Sequence, residues 1–187
     1  ELSRGSRTIR AVGKVSYDET RIARVHAKVE GWIDQVFVDF TGKLVEKGQP
    51  LLTLYSPEML ATQQEFLLAV KGKELLKNST LEGTLEQGDS LVQAARRRLE
   101  LWDLSETQIQ ELLRTQKPVK NVTLESPISG YVTTRNAFPR QRIMPDTELY
   151  TVVDLSRVWI MADVFEYEAP LVRMNESAHI TLSYSRG

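Results

Sequence analysis

The sequence contains no cysteine, and this absence excludes disulfide bonds and thiolate metal sites. No apolar run reaches the roughly 18 residues that a bilayer-spanning helix needs, so we predict no such helix. The net charge of −1 provides no basic surface for a nucleic acid or an anionic membrane. We therefore expect no nucleic-acid partner. The chain also begins at Glu1 and not at methionine, which indicates a processed or partial chain.

The sequence motifs of common catalytic sites are also missing. A Gly-x-Ser-x-Gly nucleophile elbow, a phosphate-binding loop and a paired His-Glu motif do not occur. Asp34 and Asp39 flank a predicted strand, but the sequence places no base or metal ligand beside them. We therefore predict a protein that is not an enzyme and that carries no cofactor.

A glycine-marked segment, residues 30–54, recurs about a hundred residues later in the chain. Residues 128–132 (Ile-Ser-Gly-Tyr-Val) repeat the pattern of residues 29–33 (Val-Glu-Gly-Trp-Ile), and residues 146–152 repeat residues 48–54 with one residue deleted in between. Each copy predicts only short strands, which cannot bury a core alone. The repeat therefore predicts a two-fold pseudo-symmetric β-sandwich built from both copies.

Short runs of β-branched and aromatic residues in the first copy predict four strands, at residues 31–33, 36–40, 44–45 and 51–54. Glycine tolerates the positive φ angles that turns require. We therefore predict four structural turn positions, at Gly31, Gly42, Gly48 and Gly130.

A helical segment, residues 57–117, separates the two copies. Ser56 and Pro57 predict a helix start, because serine caps free N–H groups and proline suits the first helical position. This helix is expected to reach about residue 77 and to end at Asn78-Ser-Thr80 and Gly83. Its inner face is predicted to consist of Met59, Gln63, Phe66 and Val70.

Two further helices are predicted before the second copy. One has an apolar face consisting of Leu91, Ala95, Leu99 and Trp102. The other begins at Ser105, with Gln108 in the capping-box position, and ends before Pro118. The first helix, at 1.5 Å per residue, is about 30 Å long. We therefore predict a compact, folded-back hairpin or three-helix bundle and not a long rod.

Both ends of the chain predict further strands, at residues 9–12, 15–17, 21–27, 157–165 and 178–184, with a helical turn at residues 166–173. The fold class is thus mixed α/β (α+β) and modular. We assign residues 1–25 and 155–187 to a partial β-barrel, residues 26–56 and 118–154 to the sandwich, and residues 57–117 to the helical insert.

The glycine pattern of the two copies resembles the lipoyl or biotinyl-like domain. The order of barrel strand, half-sandwich, helices, half-sandwich and barrel resembles the periplasmic adaptor subunits, or membrane fusion proteins, of tripartite efflux pumps. Three local signatures are similar to the heavy-metal (copper/silver) branch: residues 55–66, residues 99–109 and residues 154–166. The resemblance covers nearly all of the chain after residue 8.

This resemblance implies a periplasmic adaptor that is attached to the inner membrane in its full-length form. It implies an inner-membrane RND pump and an outer-membrane channel as partners, self-association into a ring, and efflux of heavy-metal cations. Drug efflux and type I secretion are alternative roles for such an adaptor. A lipoyl or biotinyl carrier is an alternative of another class, but the helical insert occupies the turn where a carrier presents its modified lysine, and Lys43 and Lys47 lie elsewhere.

Thioether and imidazole groups are the metal ligands that this composition offers. In the heavy-metal branch the N-terminal segment carries the metal-binding methionines, and no methionine precedes Met59 here. The ligand set is therefore not transferred by resemblance, and the remaining candidates are Met59, Met144, Met161, Met174, His26 and His179. Met59 and Met161 also fit a packing role.

The strongest run of positive charge is Arg96, Arg97 and Arg98 on the second predicted helix. Local pairing with acidic residues such as Glu100 is one interpretation. The other is a docking surface for the outer-membrane channel or a neighbouring adaptor, since charges at the rim of an interface steer association.

Overall fold

The computed structural model describes residues 8–76 and 84–182. The chain divides into two compact units: residues 18–157 form the larger unit, and the chain before and after them forms the smaller one. In chain order the strands are β1 (Gly13–Tyr17), β2 (Ile22–His26), β3 (Gly31–Val36), β4 (Leu44–Val45), β5 (Pro50–Tyr55), β6 (Asn121–Glu125), β7 (Gly130–Arg135), β8 (Arg142–Ile143), β9 (Glu148–Val153) and β10 (Val158–Ala162). The helices are α1 (Pro57–Leu76), α2 (Thr84–Leu101) and α3 (Glu106–Thr115), with 3-10 turns at Glu19–Arg21 and Ala169–Leu171.

The larger unit is a sandwich of two four-stranded antiparallel sheets that share both sequence copies. One sheet has the order β2-β9-β7-β4 and the other has the order β6-β5-β3-β8. Each sheet therefore takes strands from both copies, and the short strands β4 and β8 cross to the sheet dominated by the opposite copy. Neither copy can complete a sheet without the other, which explains why each copy alone lacks a core.

Matching hydrogen bonds make the pseudo-symmetry explicit at the crossing loops. The backbone N–H of Gly42 donates to the carbonyl of Val132 (2.7 Å), and the N–H of Arg140 donates to the carbonyl of Ile33 (2.8 Å). Gly42 and Arg140 both have positive φ, 85° and 63°. Arginine is strained in this region and glycine is not, so the second copy keeps the turn geometry without its usual residue.

The next turn is conserved in geometry between the copies in the same way. Gly48 N–H donates to the carbonyl of Ser126, and Asp146 N–H donates to the carbonyl of Ala27, each over 2.8 Å. Their φ angles are 81° and 67°. Gly48 and Asp146 are therefore equivalent, and the deleted residue lies in the crossing loop that precedes them.

The prediction of turn positions is wrong for Gly31 and Gly130, which lack the positive φ of Gly42 and Gly48. Each is buried and begins a strand. A Cβ added to Gly31 would lie 2.4 Å from the carbonyl oxygen of Tyr55, and one added to Gly130 would lie 2.4 Å from that of Val153. Both positions require glycine because the neighbouring strand approaches closely, not because of positive φ.

The core lies between the two sheets and continues under the base of the helices. Its largest fully buried side chains are Tyr150, Phe66, Ile33, Leu51, Leu52, Leu54, Met59, Leu99, Ile109, Leu112, Ile143 and Leu149. Tyr150 crosses the sandwich from β9, and its hydroxyl donates to the carbonyl of Val38 (2.8 Å). Burial raises the pKa of Tyr150 to about 12.

The helical insert folds back on itself as predicted. Helix α1 packs against α2, with Gly88 close to Lys73 and an ion pair between Lys73 and Asp89. The predicted break at Asn78–Thr80 and Gly83 lies outside the described residues. On α2, Leu99 is buried as expected, but Leu91 is 64% exposed and does not belong to the packed face. None of the described helices is long and apolar enough to cross a membrane.

Two predictions for the larger unit are wrong. The first is the strand expected at residues 36–40. Val36 is instead the last residue of β3, and residues 37–40 lie outside the strand because the chain leaves this sheet and crosses to the other one. Of these four residues only Val38 is buried. The second concerns residues 18–25, which the sequence places in the partial barrel. However, β2 pairs with β9 from Ile22 to His26 and completes a sandwich sheet, so this segment belongs to the sandwich.

The smaller unit contains the antiparallel pair β1 and β10, with Gly13 opposite Ala162 and Tyr17 opposite Val158. The two ends of the chain therefore meet in one sheet, as expected. The strand predicted at residues 157–165 ends at Ala162, and residues 178–182 form no strand within the described ranges. The helical turn predicted at residues 166–173 is reduced to Ala169–Leu171. A partial β-barrel remains a prediction.

Candidate functional site

A set of hydrogen bonds joins the helical insert to the sandwich at the base of the insert. Ser56, which is buried, directly follows β5, and its hydroxyl accepts a hydrogen bond from the N–H of Met59 (3.3 Å). Pro57 follows as the first helical residue, where its missing N–H costs nothing. The predicted serine cap is confirmed, and it fixes the start of α1 in the core.

Gln63 ties α1 to the segment through which the chain returns to the sandwich. Its Oε1 accepts from the N–H of Val119 (2.8 Å), and its Nε2 donates to the carbonyl of Val119 (3.0 Å). Gln63 is only 1% exposed, so both halves of its amide need a partner. The side chain thus bonds both the N–H and the carbonyl of Val119, as a residue of a neighbouring strand would, and Val119 lies just before β6.

Gln108 makes a second connection from α3. Its Oε1 accepts from the N–H of Ser105 (2.8 Å), which is the capping-box contact that the sequence predicts. Its Nε2 donates to the carbonyl of Thr123 on β6 (2.8 Å). The side chain of Gln108 thus caps α3 and also provides a hydrogen-bond donor for the carbonyl of Thr123. Because β6 is the edge strand of its sheet, no further strand is available to bond this carbonyl.

Two cavities adjoin this junction. One, of about 260 Å³, lies beside the glutamines and is lined by side chains that include Leu104, Val119 and Val122. The other, of about 540 Å³, lies between the α2–α3 turn and the sandwich. Charged side chains of both signs line the larger cavity together with His26: Arg24, Lys28, Lys47, Glu100, Asp103 and Glu125. Beside these cavities the helices and the sandwich share one buried core, which includes Leu99, Leu104 and Ile109.

One ion pair spans the larger cavity. Lys28 Nζ, between β2 and β3, lies 3.7 Å from Asp103 Oδ2 in the α2–α3 turn. Both side chains are about half exposed (49% and 52%). Such an exposed pair contributes little to the free energy of unfolding, on the order of 0–1 kcal/mol.

The three predicted docking arginines have unequal surroundings. Arg96 bonds Glu100 (2.8 Å) and also pairs with Glu106, which links α2 to α3. Arg98 pairs with Glu65 of α1 (3.1 Å) and lies over the ring of Trp102 (5.6 Å). These contacts support the local-pairing interpretation for both residues.

Arg97 differs from its two neighbours. It is exposed, and within the described part of the chain it forms no ion pair. Of the three arginines, Arg97 is therefore the one that has no ionic partner among the described contacts.

The structure does not gather the metal candidates of the larger unit into a site. Met59 is 1% exposed and packs in the core, whereas Met144 is 49% exposed in the loop after β8. His26 Nε2 lies 4.0 Å from Glu148 Oε2 across β2 and β9. A histidine with one carboxylate neighbour falls short of the three or four protein ligands typical of a zinc site.

The candidates of the smaller unit are on its surface. Met161 on β10 is 60% exposed, Met174 is 92% exposed, and His179 is also exposed. Among the residues with described positions, no group of three or more His, Asp or Glu side chains is arranged to hold a metal ion. The metal ligands remain a prediction for these residues.

Charged groups also order the chain where it enters and leaves the sandwich. Arg21 Nη1 donates to Asp154 Oδ2 (2.5 Å) and to the hydroxyl of Ser156 (2.9 Å). Hydrogen bonds from Ser156, together with Arg21, lower the pKa of the Asp154 carboxyl. Val153 and Ile22 are paired there, in positions equivalent to Tyr55 and Asn121 at the base of the insert.

Part of this junction is predictable from the sequence. The apolar spacing predicts Gln63 on the inner face of α1 and the capping motif predicts the role of Gln108, but neither pattern indicates the contacts with Val119 and Thr123. A glutamine between Met59 and Phe66 on an apolar face was the available signal, since a buried amide must have partners. Lys28 and Asp103 gave no sequence signal, because two exposed charges far apart in sequence are ordinary.

Comparison with known proteins gives the same architecture. A family model described as "CusB, barrel-sandwich hybrid domain" matches residues 22–153. The cation efflux system protein CusB of Escherichia coli (strain K12) is 32% identical over 169 residues, covering 90% of this chain and 38% of its own length. The putative membrane fusion protein SilB of Salmonella typhimurium is 30% identical over 177 residues, covering 95% of this chain and 38% of its own length.

Solved structures agree on the fold. ZneB from Cupriavidus metallidurans superimposes with a TM-score of 0.51 at 20% identity, covering 86% of this chain and 72% of that one. A MacA-MexA chimeric protein containing the Pseudomonas aeruginosa MexA alpha-hairpin domain gives a TM-score of 0.56 at 19% identity, covering 87% and 57%. At these identities the similarity supports the fold alone.

The interlocked sandwich that is split by a helical insert is therefore a barrel-sandwich hybrid. The chain belongs to the family of CusB barrel-sandwich hybrid domains. It spans 38% of the length of the CusB and SilB proteins that it matches.

Proposed function

We propose that the protein is the periplasmic adaptor of a tripartite efflux pump that exports heavy-metal cations. The observation that carries this proposal is the family match over residues 22–153, which includes both sheets and the whole insert. Relatives at 30–32% identity are a cation efflux system protein and a putative membrane fusion protein. In this role the full-length protein is attached to the inner membrane and connects an inner-membrane RND pump to an outer-membrane channel.

The connectivity of the larger unit supports a spacer role. The insert leaves the sandwich between Tyr55 and Asn121, which are paired in one sheet. The chain segments that continue to the smaller unit join the sandwich at Ile22 and Val153, which are paired in the other sheet. These two exits are pseudo-symmetry equivalents, so one compact domain connects two further modules. Several copies of such a spacer, arranged as a ring, would enclose a conduit.

The carrier alternative is disfavoured by the placement of the lysines. A carrier lysine must project freely from the turn between the two copies, but the insert replaces that turn here. Lys43 Nζ instead donates to the carbonyl of Phe37 (2.9 Å) and lies over the ring of Phe40 (5.4 Å). The backbone N–H of Lys47 is bonded to the hydroxyl of Ser129 (2.9 Å) within a turn. An increase in the intact mass on a lysine would support the carrier instead.

The substrate class is tested in the organism that encodes the protein. The gene is deleted, and growth is measured against Cu, Ag and Zn salts and against a panel of drugs, with and without the full-length gene restored. The proposal predicts a severalfold loss of tolerance to at least one metal cation and unchanged tolerance to the drugs. Loss of drug tolerance alone would assign the protein to drug efflux, and unchanged tolerance to every compound would favour secretion.

A further inference from the structure

We propose that the outer edge of β2 is a docking site for an extended segment of a partner protein. The segment pairs with Ile22 and Arg24 as an added strand and places an acidic side chain opposite Arg24. The proposal does not depend on the substrate of the protein. It rests on a difference between two strands that the pseudo-symmetry makes equivalent.

Strand β2 is an edge strand with outward-facing backbone groups. It comes first in the order β2-β9-β7-β4. The N–H of Asp154 donates to the carbonyl of Arg21 (3.1 Å), and in an antiparallel pair such bonded positions alternate with positions whose groups point away from the partner strand. The N–H and carbonyl groups of Ile22 and Arg24 therefore point outward, and no hydrogen bond within the described residues occupies them.

The equivalent edge, that of β6, is covered by side chains of the helical insert. Arg24 of β2 corresponds to Thr123 of β6, whose carbonyl accepts from Gln108 (2.8 Å). Just before β6, Gln63 bonds both backbone groups of Val119. An open strand edge is a template for pairing with another chain, and native proteins usually cover it. Within its described residues the chain covers one of the two equivalent edges and leaves the other open.

Charge identifies the kind of segment that fits this edge. Arg24 is exposed, and among the described contacts neither Arg24 nor Lys47 forms an ion pair. Both line the cavity of about 540 Å³, whereas two of the three acids that line it, Glu100 and Asp103, already have partners. Positive charge is therefore in excess among the groups without a described ion pair. An acidic residue opposite Arg24 forms a favourable cross-strand pair.

The cavity indicates which residues should flank this acid. Successive side chains of a strand face opposite sides, and Val25 is buried next to the exposed Arg24. The neighbours of the acid in the added strand therefore face the side of Val25, where Leu104 and Leu124 also line the cavity. A segment of the pattern apolar-acidic-apolar matches both sides of this edge.

A second copy of β2 fits this edge poorly. Antiparallel pairing of two β2 edges about Arg24 places two arginines opposite each other, which is unfavourable. The alternative register pairs Arg24 with Ile22, which supplies no negative charge. The chemistry of the edge therefore favours a different chain as the partner.

The test uses the full-length protein and the blocked peptide Thr-Val-Glu-Val-Thr as a probe. Fluorescence anisotropy of the labelled peptide measures binding, and hydrogen–deuterium exchange with mass spectrometry locates it. One comparison peptide is N-methylated at the glutamate, and another has lysine in its place. Arg24→Glu reverses the charge of the edge, and Lys117→Glu makes the same change at an exposed site outside the strands.

The added strand predicts that the peptide binds and slows exchange in the segment that contains Ile22 and Arg24. Arg24→Glu should weaken binding by about three- to tenfold, because an opposite-charge pair becomes a like-charge pair, and should prefer the lysine peptide. N-methylation should weaken binding by about fivefold or more, because a main-chain hydrogen bond is lost. Lys117→Glu should bind the peptide as the wild type does.

Three results would overturn the proposal. The first is that the peptide does not bind, and the second is that neither Arg24→Glu nor N-methylation alters its binding. The third is that a higher concentration of the protein itself, and not the peptide, slows exchange at Ile22 and Arg24. In that case the edge pairs with a second copy of the chain.

Discussion

Gln63 and Val119 exchange two hydrogen bonds, one in each direction between the side-chain amide and the backbone of the returning chain. The pair closes the base of the insert: α1 leaves the sandwich after β5, and Val119 precedes β6, which is the neighbour of β5. A helix that buries an apolar face would normally exclude such an amide. Here the amide supplies the partners that an irregular, partly buried segment needs.

The contact predicts a large effect for Gln63→Leu. The substitution keeps the volume roughly constant but removes both hydrogen bonds to Val119, and because Val119 is 44% exposed its N–H and carbonyl can then bind water. The loss of the two bonds should lower the free energy of unfolding by about 1–3 kcal/mol. Gln64→Leu changes the next residue, which is exposed, and should alter stability by less than about 0.5 kcal/mol. Urea denaturation of both variants measures the difference, and equal stability would contradict the assigned role of Gln63.

The two strand-starting glycines should respond alike to a methyl group. Gly31→Ala and Gly130→Ala each place a Cβ 2.4 Å from a carbonyl oxygen, so each should be destabilised by about 1–3 kcal/mol or more. Gly72→Ala on α1 is the control, because a Cβ there meets nothing within 4 Å. It should stabilise the helix by about 0.5–1 kcal/mol. Thermal unfolding that ranks all three substitutions equally would argue against the close approach of the strands.

Tyr150 should make stability fall in alkaline solution. Its pKa is raised from 10.0 to about 12 in the folded chain, so between these pH values the unfolded chain loses the proton first. The titration of Tyr150 therefore leaves the free energy of unfolding unchanged below about pH 10. It lowers that free energy by about 2–3 kcal/mol as the pH approaches 12.

Tyr150→Phe is the control for this titration. It loses the bond to Val38, about 1 kcal/mol at neutral pH, but it should show a smaller alkaline decline than the wild type. The measurement is urea denaturation of both proteins across pH 9–11.5. Parallel stability curves would show that Tyr150 does not cause the decline.

Arg97 allows a test of the predicted docking surface without disturbing the fold. It is exposed and, among the described contacts, is not part of the ion pairs that Arg96 and Arg98 form. Arg97→Glu should leave the melting temperature unchanged and lower metal tolerance in cells. Lys117→Glu makes the same change of charge at an exposed site outside the helices and should preserve tolerance. Full tolerance in Arg97→Glu would remove this residue from the docking surface.

The sequence repeat predicted the sandwich because glycine spacing and apolar pattern are local properties. It could not predict the interlocking, since two-residue strands such as β4 and β8 carry no periodicity that assigns them to a sheet. The strand expected at residues 36–40 fails for a related reason. Val36, Phe37 and Val38 satisfy a strand pattern, but only tertiary contacts show that the chain leaves the sheet after Val36.

The junction was predictable only where a side chain acts within its own helix. Ser56 and Gln108 were identified as caps because a cap and its target are neighbours in sequence. The contacts of Gln63 with Val119 and of Lys28 with Asp103 join residues that are distant in sequence, so no local signal marks them. Leu91 shows a prediction that fails in the other direction. Its apolar spacing predicts a place on the buried face of α2, but the residue is exposed.

The most direct test of the account is metal retention in living cells. Cells lacking the gene are loaded with silver or copper, returned to metal-free medium, and assayed for cell-associated metal over time by elemental mass spectrometry. The account predicts that the deletion slows metal loss severalfold and that the full-length wild-type gene restores it. Equal rates of loss for every metal tested, with and without the gene, would contradict a role in metal-cation efflux.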